Sequence, residues 1–170
     1  RCLLDGFAPL RCPLCGRRIQ PDAGCRSCGL PDPEGSMRQL RCDGAGEFLL
    51  FAGGPYEGEL RRVVHAYKYG RDPAALRMLA RQAAGALPGG AGWEALVPVP
   101  GHRRRVRERG WEPAAELAGA VGRERALPVE RLLERVRDTV PLTGRCARER
   151  RQLVRGAFRA RASAGTLLVL

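Results

Sequence analysis

The chain has 170 residues, of which 44% are hydrophobic and 5% aromatic, and its formal net charge is +12. This length fits one ordinary domain with a small appended module, and the apolar content is sufficient for a core. No run approaches the ~18 apolar residues of a membrane-spanning helix, and no secretory leader opens the sequence, so we expect a cytoplasmic protein without a membrane span. Seventeen basic and eight acidic residues fall in residues 100–170, a field that attracts polyanions, although a coding bias towards Arg explains part of the excess.

Two CxxC motifs lie near the start of the chain. Nine residues separate them, and each is followed by Gly. Four thiolates at this spacing suit one tetrahedral zinc ion, and a redox-active dithiol pair is the alternative. We therefore predict a small structural zinc ribbon. Its ligands are Cys12, Cys15, Cys25 and Cys28.

The next segment, residues 31–55, is rich in Pro and Gly and reads as a linker with one short strand at residues 48–51. Two helices are predicted after it. Apolar residues recur at helical spacing over residues 56–69, and Gly70 ends the pattern. Asp72 and Pro73 then form the cap and first turn of a second helix, which breaks at residues 88–90.

The second half of the chain alternates short strands with helices, which favours an α/β domain with a mostly parallel sheet. A buried strand is predicted at residues 95–100, a basic loop at 103–109 and a helix at 111–125. Residues 129–136 fit either a strand or a helix. A further helix at residues 145–153 and strands at 156–158 and 166–170 complete the pattern.

The strand end at residues 97–101 is followed by a basic cluster. Ligands of open α/β sheets bind at the carboxyl ends of strands, where Arg side chains and backbone N–H groups suit phosphate oxygens. We predict a pyrophosphate-binding loop here, and a solvated arginine loop is the alternative. The arginines predicted to contact nucleic acid are Arg103, Arg104, Arg105 and Arg107.

Together these motifs resemble the ComF/GntX family of phosphoribosyltransferase-like proteins. The resemblance implies a type I phosphoribosyltransferase-like α/β domain over residues 51–170, with a truncated, mostly parallel sheet, behind a zinc ribbon and linker over residues 1–50. It also implies a role in DNA uptake and natural competence in bacteria. It rests on the four cysteines, Lys68-Tyr69-Gly70, Val97-Pro98-Val99-Pro100, Arg109-Gly110-Trp111, Arg137-Asp138-Thr139-Val140-Pro141 and Gly156-Ala157-Phe158, in this order along nearly the whole chain.

The resemblance further implies ligands and partners. Phosphoribosyl pyrophosphate with Mg²⁺ is the expected ligand, and single-stranded DNA and proteins of the DNA-uptake machinery are the expected partners. The ligand-binding residues that it implies are Val99, Pro100, Gly101, His102, Arg103, Lys68 and Arg109.

The sequence departs from the family at its catalytic positions. Family members carry two acidic residues and a Thr-Thr-Gly run after their central strand, and this sequence ends at Leu170, where that strand would be starting. Glu112-Pro113, Leu142 and Leu153 stand where the family has polar residues.

We therefore assign no catalytic residue and expect a non-catalytic relative that binds nucleic acid or a phosphorylated ligand. One alternative is an active phosphoribosyltransferase, if a longer chain supplies the acidic pair. The other is a zinc-ribbon module for protein interaction. Cys2, Cys42 and Cys146 fit no metal-binding pattern.

Overall fold

The computed structural model describes residues 17, 36–42, 46–54, 56–88, 92–140, 142, 144–161 and 167–169. These residues form a mixed α/β structure with five helices. The chain divides into two compact units, Arg1–Ala91 and Gly92–Leu170. The predicted division at residue 50 concerns a zinc ribbon whose cysteines lie outside the described residues, so it stays a prediction. Within the described ranges, no helix combines the length and the apolar character that crossing a membrane requires.

In the first unit, a β-hairpin occupies the segment for which the composition predicts a linker. Strand β1 (Ser36–Cys42) pairs antiparallel with β2 (Gly46–Ala52), so that Ser36 lies opposite Ala52 and Cys42 opposite Gly46. The strand predicted at residues 48–51 therefore exists, but the linker interpretation was wrong for its neighbour. A lone strand would leave backbone N–H and C=O groups unpaired, and the preceding segment supplies their partners.

The two helices of the first unit, α1 (Gly58–Gly70) and α2 (Pro73–Ala86), are those that the sequence predicts. Asp72 caps α2, because its Oδ1 accepts hydrogen bonds from the backbone N–H groups of Ala74 at 2.7 Å and Ala75 at 3.3 Å. The Gln82 side chain of α2 donates a hydrogen bond to the carbonyl of Gly53, just after β2. A Cβ on Gly53 would lie only 2.8 Å from Gln82 Cγ, so this close approach requires glycine.

The second unit is organised around strand β3 (Ala95–Val97), whose three residues are all buried. β3 pairs in parallel with β6 (Leu167–Val169), and the Leu96 backbone also bonds to the segment around Val129. The Leu96 N–H donates to the Pro128 carbonyl at 2.8 Å, and its carbonyl accepts from the Glu130 N–H at 2.9 Å. The elements that follow β3 are α3 (Arg103–Arg109), α4 (Pro113–Arg125), β4 (Leu133–Arg135), α5 (Ala147–Val154), β5 (Phe158–Ala160) and β6 (Leu167–Val169).

Parallel pairing is less dominant than the sequence predicts. Within the described residues of the second unit, β3–β6 and the isolated bridge between Leu96 and Val129 are parallel, whereas β4–β5 is antiparallel, as is β1–β2 of the first unit. The β1–β2 pair is a hairpin, in which a short turn allows only the antiparallel arrangement. The mixed α/β class is therefore confirmed, while the type I phosphoribosyltransferase topology stays a proposal.

Helix α4 packs against β3 through a glycine. A Cβ on Gly122 would lie 3.6 Å from Leu96 Cδ1 in β3, and it would lie 2.7 Å from the Leu127 carbonyl oxygen and 3.1 Å from Val129 Cγ2. Ala118 and Val121, on the same helix, are completely buried. Gly122 thus allows α4 to pack closely against residues 127–129, which follow the helix, and a residue with a Cβ would collide with them.

The basic segment after β3 is a helix, α3, and the predicted loop was wrong. Arginine has a high helix propensity, and Arg104 Nε donates to Glu108 Oε1 at 2.8 Å one turn later. Gly110 ends the helix in the left-handed region, with φ 74°, and its N–H donates to the Val106 carbonyl. Local propensity and a glycine cap therefore produce a helix that no apolar periodicity signals.

Candidate functional site

A cleft of about 280 Å³ opens at the carboxyl end of β3. It is formed by the residues that follow β3, the start of α3, the residue before α4, strand β4 and the residue after β5. We call it the strand-end cleft. Its lining residues are Pro98, Pro100, Gly101, Arg103, Val106, Arg107, Glu112, Arg131, Leu133, Glu134, Arg135 and Arg161.

The strand-end cleft is strongly basic, with five arginines and two glutamates among its lining residues. Arginine remains protonated at neutral pH, and the two carboxylates offset only part of this charge. A concave site with an excess of positive charge favours anionic ligands.

One of the two carboxylates, that of Glu112, holds the loop after β3. Its Oε1 accepts a hydrogen bond from the Gly101 backbone N–H at 3.0 Å, and its Oε2 accepts one from Arg131 Nη1 at 3.0 Å. The Glu112 side chain is only 14% exposed. Both oxygens of one carboxylate are thus occupied inside the cleft.

The other carboxylate, that of Glu134, bridges two arginines from different elements. Its Oε1 lies 2.9 Å from Arg103 Nη2, and its Oε2 lies 3.6 Å from Arg161 Nη2. The pair with Arg103 connects α3 to β4, and the pair with Arg161 connects β4 to the end of β5.

Arg135, next along β4, is held by neutral groups. Its guanidinium donates to the Thr139 hydroxyl, and its Nε donates to the Arg137 carbonyl at 3.4 Å. Burial lowers the pKa of Arg135, the Arg105 guanidinium lowers it further, and Asp138 partly opposes both. The arginine is therefore fixed in the cleft wall by hydrogen bonds to neutral groups.

Of the ligand-binding residues predicted from the sequence, three line the strand-end cleft. Pro100, Gly101 and Arg103 are among its lining residues. Val99 and Arg109 are exposed and lie outside that lining. These two residues are therefore not part of the cleft wall.

His102 and Lys68 have different surroundings. The Nδ1 atom of His102 is buried and lies 3.6 Å from Asp138 Oδ1. Lys68 belongs to the first unit, where it is exposed in the last turn of α1.

The arginines predicted to contact nucleic acid all lie on α3. Arg104 pairs with Glu108, which raises the pKa of Arg104 through a side-chain hydrogen bond. Arg105 donates to the Thr139 carbonyl and lies 3.6 Å from Asp138. Arg107 lines the strand-end cleft. Helix α3 therefore has some arginines exposed to solvent and others in the lining of the cleft.

Sequence reasoning did not identify the part of the site contributed by β4 and its surroundings. The segment that fits either a strand or a helix from its sequence supplies Arg131, Leu133, Glu134 and Arg135 to the lining. Because three of these residues are consecutive, no period of two marks the segment as a strand with one face in the cleft. No local signal exists for Arg161 either, because its place depends on the β4–β5 pairing.

The four cysteines predicted to bind zinc lie outside the described residues. Within the described part of the chain, no three His, Cys, Asp or Glu side chains converge as a metal site would require. The two carboxylates of the strand-end cleft are each paired with arginine, and this set of donors does not fit a magnesium ion. Cys146 is an exposed thiol at the start of α5.

No family model matches this chain, and no curated protein or solved structure matches it.

Proposed function

We propose that this chain is a ComF/GntX-like protein whose second unit binds a phosphorylated ligand in the strand-end cleft. The observation that carries the proposal is the group of five arginines around Gly101 at the carboxyl end of β3. Guanidinium groups bind phosphate oxygens with two parallel hydrogen bonds, and open α/β sheets bind their ligands at this end of their strands. The sequence resemblance supports the same position, because it implies a pyrophosphate loop at residues 99–103.

The proposed ligand class is a sugar diphosphate of the phosphoribosyl pyrophosphate type. The excess of arginines over glutamates in the lining suits a multiply charged group better than a single carboxylate. We propose binding and assign no catalytic step, since both cleft carboxylates are already paired with arginines. An active phosphoribosyltransferase, with Mg²⁺ and an acidic pair outside this sequence, remains the alternative.

Inorganic pyrophosphate tests this proposal by isothermal titration calorimetry. Arg107→Gln removes a positive charge from the lining of the cleft. Arg123→Gln removes the same charge from an exposed position on α4 outside the lining, and it serves as the matched control. We expect Arg107→Gln to weaken binding about tenfold, as the loss of one charge-assisted hydrogen bond would, and Arg123→Gln to have little effect. Equal affinities for the two variants, or no binding by the unmodified protein, would contradict the proposal.

We also propose the zinc ribbon and the cellular role that the resemblance implies. Four thiolates with the spacing of Cys12, Cys15, Cys25 and Cys28 would hold one structural zinc ion. The protein would act in the cytoplasm, together with the DNA-uptake machinery. The ribbon would stabilise an N-terminal segment that is rich in Gly and Pro.

Binding of single-stranded DNA is a second proposed function, favoured by the exposed arginines of α3. The side chains of Arg103 and Arg104 are 71% and 74% exposed. Exposed guanidinium groups can contact a phosphate backbone without reading sequence.

Fluorescence anisotropy with labelled oligonucleotides of different sequences tests this function. We expect Arg104→Ala to weaken binding similarly for all sequences, and affinity to fall steeply as salt rises. Arg123→Ala on α4 is the matched control. DNA affinity that does not respond to salt, or that Arg104→Ala leaves unchanged, would contradict this function.

A further inference from the structure

We infer that Glu112 is an intramolecular competitor for the anion site, and that it makes the strand-end cleft selective for multiply charged anions. The inference rests on the proposed function, because it concerns how the same cleft admits its ligand. The Glu112 carboxylate already receives the Gly101 N–H and the Arg131 guanidinium, each at 3.0 Å. These are two of the donors that a bound phosphate group would use.

The position of Glu112 in the chain shows that its carboxylate is directed away from its own helix. Glu112 is the N-cap residue of α4, where a side chain commonly accepts hydrogen bonds from the first backbone N–H groups. Its side chain makes no such bond. The carboxylate reaches instead to the loop after β3 and to Arg131, so its interactions serve the cleft.

Glu112 and Glu134 therefore have different roles in the cleft. Glu134 pairs with two arginine side chains, Arg103 and Arg161, and lowers the positive charge. Glu112 binds one arginine and also the backbone N–H of Gly101, which belongs to the predicted pyrophosphate loop. A ligand can bind beside the Glu134 pairs, but it must displace the Glu112 carboxylate to reach Gly101.

This displacement determines which anions the cleft accepts. Glu112 is tethered, so its carboxylate has a high effective concentration at the Gly101 N–H. A free monoanion such as acetate would only replace the Glu112 carboxylate by another single negative charge, and the cleft would gain no hydrogen bond from the exchange. A diphosphate brings more charge and more acceptor oxygens than a monoanion. It can also reach further arginines of the lining, such as Arg107 and Arg135. Neither of these two has a carboxylate partner among the hydrogen bonds and ion pairs described for this part of the chain.

Calorimetric titration with inorganic pyrophosphate and with acetate tests the inference. Glu112→Gln removes the charge and releases Arg131, and we expect pyrophosphate binding to tighten about tenfold. Glu94→Gln makes the same change of net charge at an exposed residue just before β3, at the opposite end of the strand, and we expect it to change affinity less than twofold. We expect acetate to bind detectably only to the Glu112→Gln variant.

A shorter carboxylate provides a second measurement. Glu112→Asp keeps the charge but removes one methylene, so its side chain cannot satisfy Gly101 and Arg131 together. We expect an affinity for pyrophosphate between those of the unmodified protein and Glu112→Gln, and thermal melting curves establish that both variants fold.

The possible outcomes separate this inference from the proposed function. If the unmodified protein and Glu112→Gln bind pyrophosphate equally, and Arg107→Gln weakens both, the inference is overturned and the proposed function stands. If neither protein binds pyrophosphate, both are overturned. Weakening by Glu112→Gln would show that Glu112 supports the ligand site, and it would also overturn the inference.

Discussion

The guanidinium carbon of Arg135 lies 5.5 Å from the centroid of the Phe158 ring. The two residues are also register partners in the antiparallel β4–β5 pair. Since burial lowers the pKa of Arg135, the face of the ring compensates in part for the water that the cation has lost. The β4–β5 pairing therefore places the Phe158 ring where it can hold Arg135 in the cleft wall.

Replacement of Phe158 by Leu is expected to lower the free energy of unfolding by about 1 kcal/mol, because an aliphatic side chain offers no ring face to the cation. Urea denaturation provides the measurement. Phe158→Tyr keeps a ring face and serves as the control, so we expect it to retain most of the stability. If both variants lose the same stability, the interaction between Arg135 and Phe158 contributes nothing measurable.

Two glycines of α4 give opposite predictions for the same substitution. Gly122→Ala places a Cβ 2.7 Å from the Leu127 carbonyl oxygen, and we expect a loss of about 1–3 kcal/mol in the free energy of unfolding. Gly119→Ala meets nothing closer than 3.8 Å, and there alanine should stabilise the helix by up to about 1 kcal/mol. Urea denaturation of both variants compares them directly. The same sign of change at the two sites would contradict the close packing of α4 described above.

Glu149 gives α5 a pH-dependent contribution to stability. A hydrogen bond from the Cys146 backbone N–H at 2.9 Å lowers the pKa of Glu149 below its ordinary value of 4.5. A carboxyl group whose pKa is lower in the folded state stabilises the fold above its unfolded pKa, and this contribution is lost as pH falls through the folded pKa. The side chain is at the surface, so the effect is small.

The measurement is the difference in unfolding free energy between the unmodified protein and Glu149→Gln. We expect the unmodified protein to be the more stable at about pH 7, and the difference to disappear as pH falls below the ordinary Glu value of 4.5. Other carboxyl groups titrate in both proteins and cancel in the difference. A difference that grows on acidification would contradict the hydrogen bond from Cys146.

The zinc proposal predicts about one equivalent of metal per chain, measured by mass spectrometry on the purified protein. Cys15→Ser should abolish the bound metal, since three thiolates do not close a tetrahedral site. Cys146→Ser is the control, because this exposed thiol lies in the second unit, and it should leave the metal content unchanged. Purified protein without zinc would remove the ribbon from the proposal.

The helices and strands that the sequence predicted share strong local signals. Asp72 followed by Pro73 specifies the start of α2, and the apolar run over residues 95–97 specifies β3. In both cases a short segment carries the information, either through hydrogen bonds to its own backbone or through complete burial. Such signals can be recognised from the sequence alone because they do not depend on residues that are distant in the chain.

The parts that the sequence did not predict depend on propensity or on tertiary contacts. Helix α3 lacks an apolar face that periodicity could detect, since its arginines face the solvent or pair with acidic residues. The hydrogen bond from Gly101 to Glu112 requires the start of α4 to lie beside the loop after β3, which no local pattern encodes. The sequence therefore predicted the side of the cleft formed by the residues after β3, whereas the residues of the other elements reach the cleft through tertiary contacts.

The parallel pairing of β3 with β6 has a consequence for biosynthesis. Ala95 pairs with Leu167, so β3 lies beside a strand that comes after β5 in the chain. A ribosome releases β6 only after α3, α4, β4, α5 and β5, and until then one edge of the buried strand β3 lacks the hydrogen-bonding partner that β6 supplies. The pairing of β3 with β6 consequently forms late in synthesis. A nascent chain halted before residue 167 would expose that edge of β3 to chaperones or to neighbouring chains.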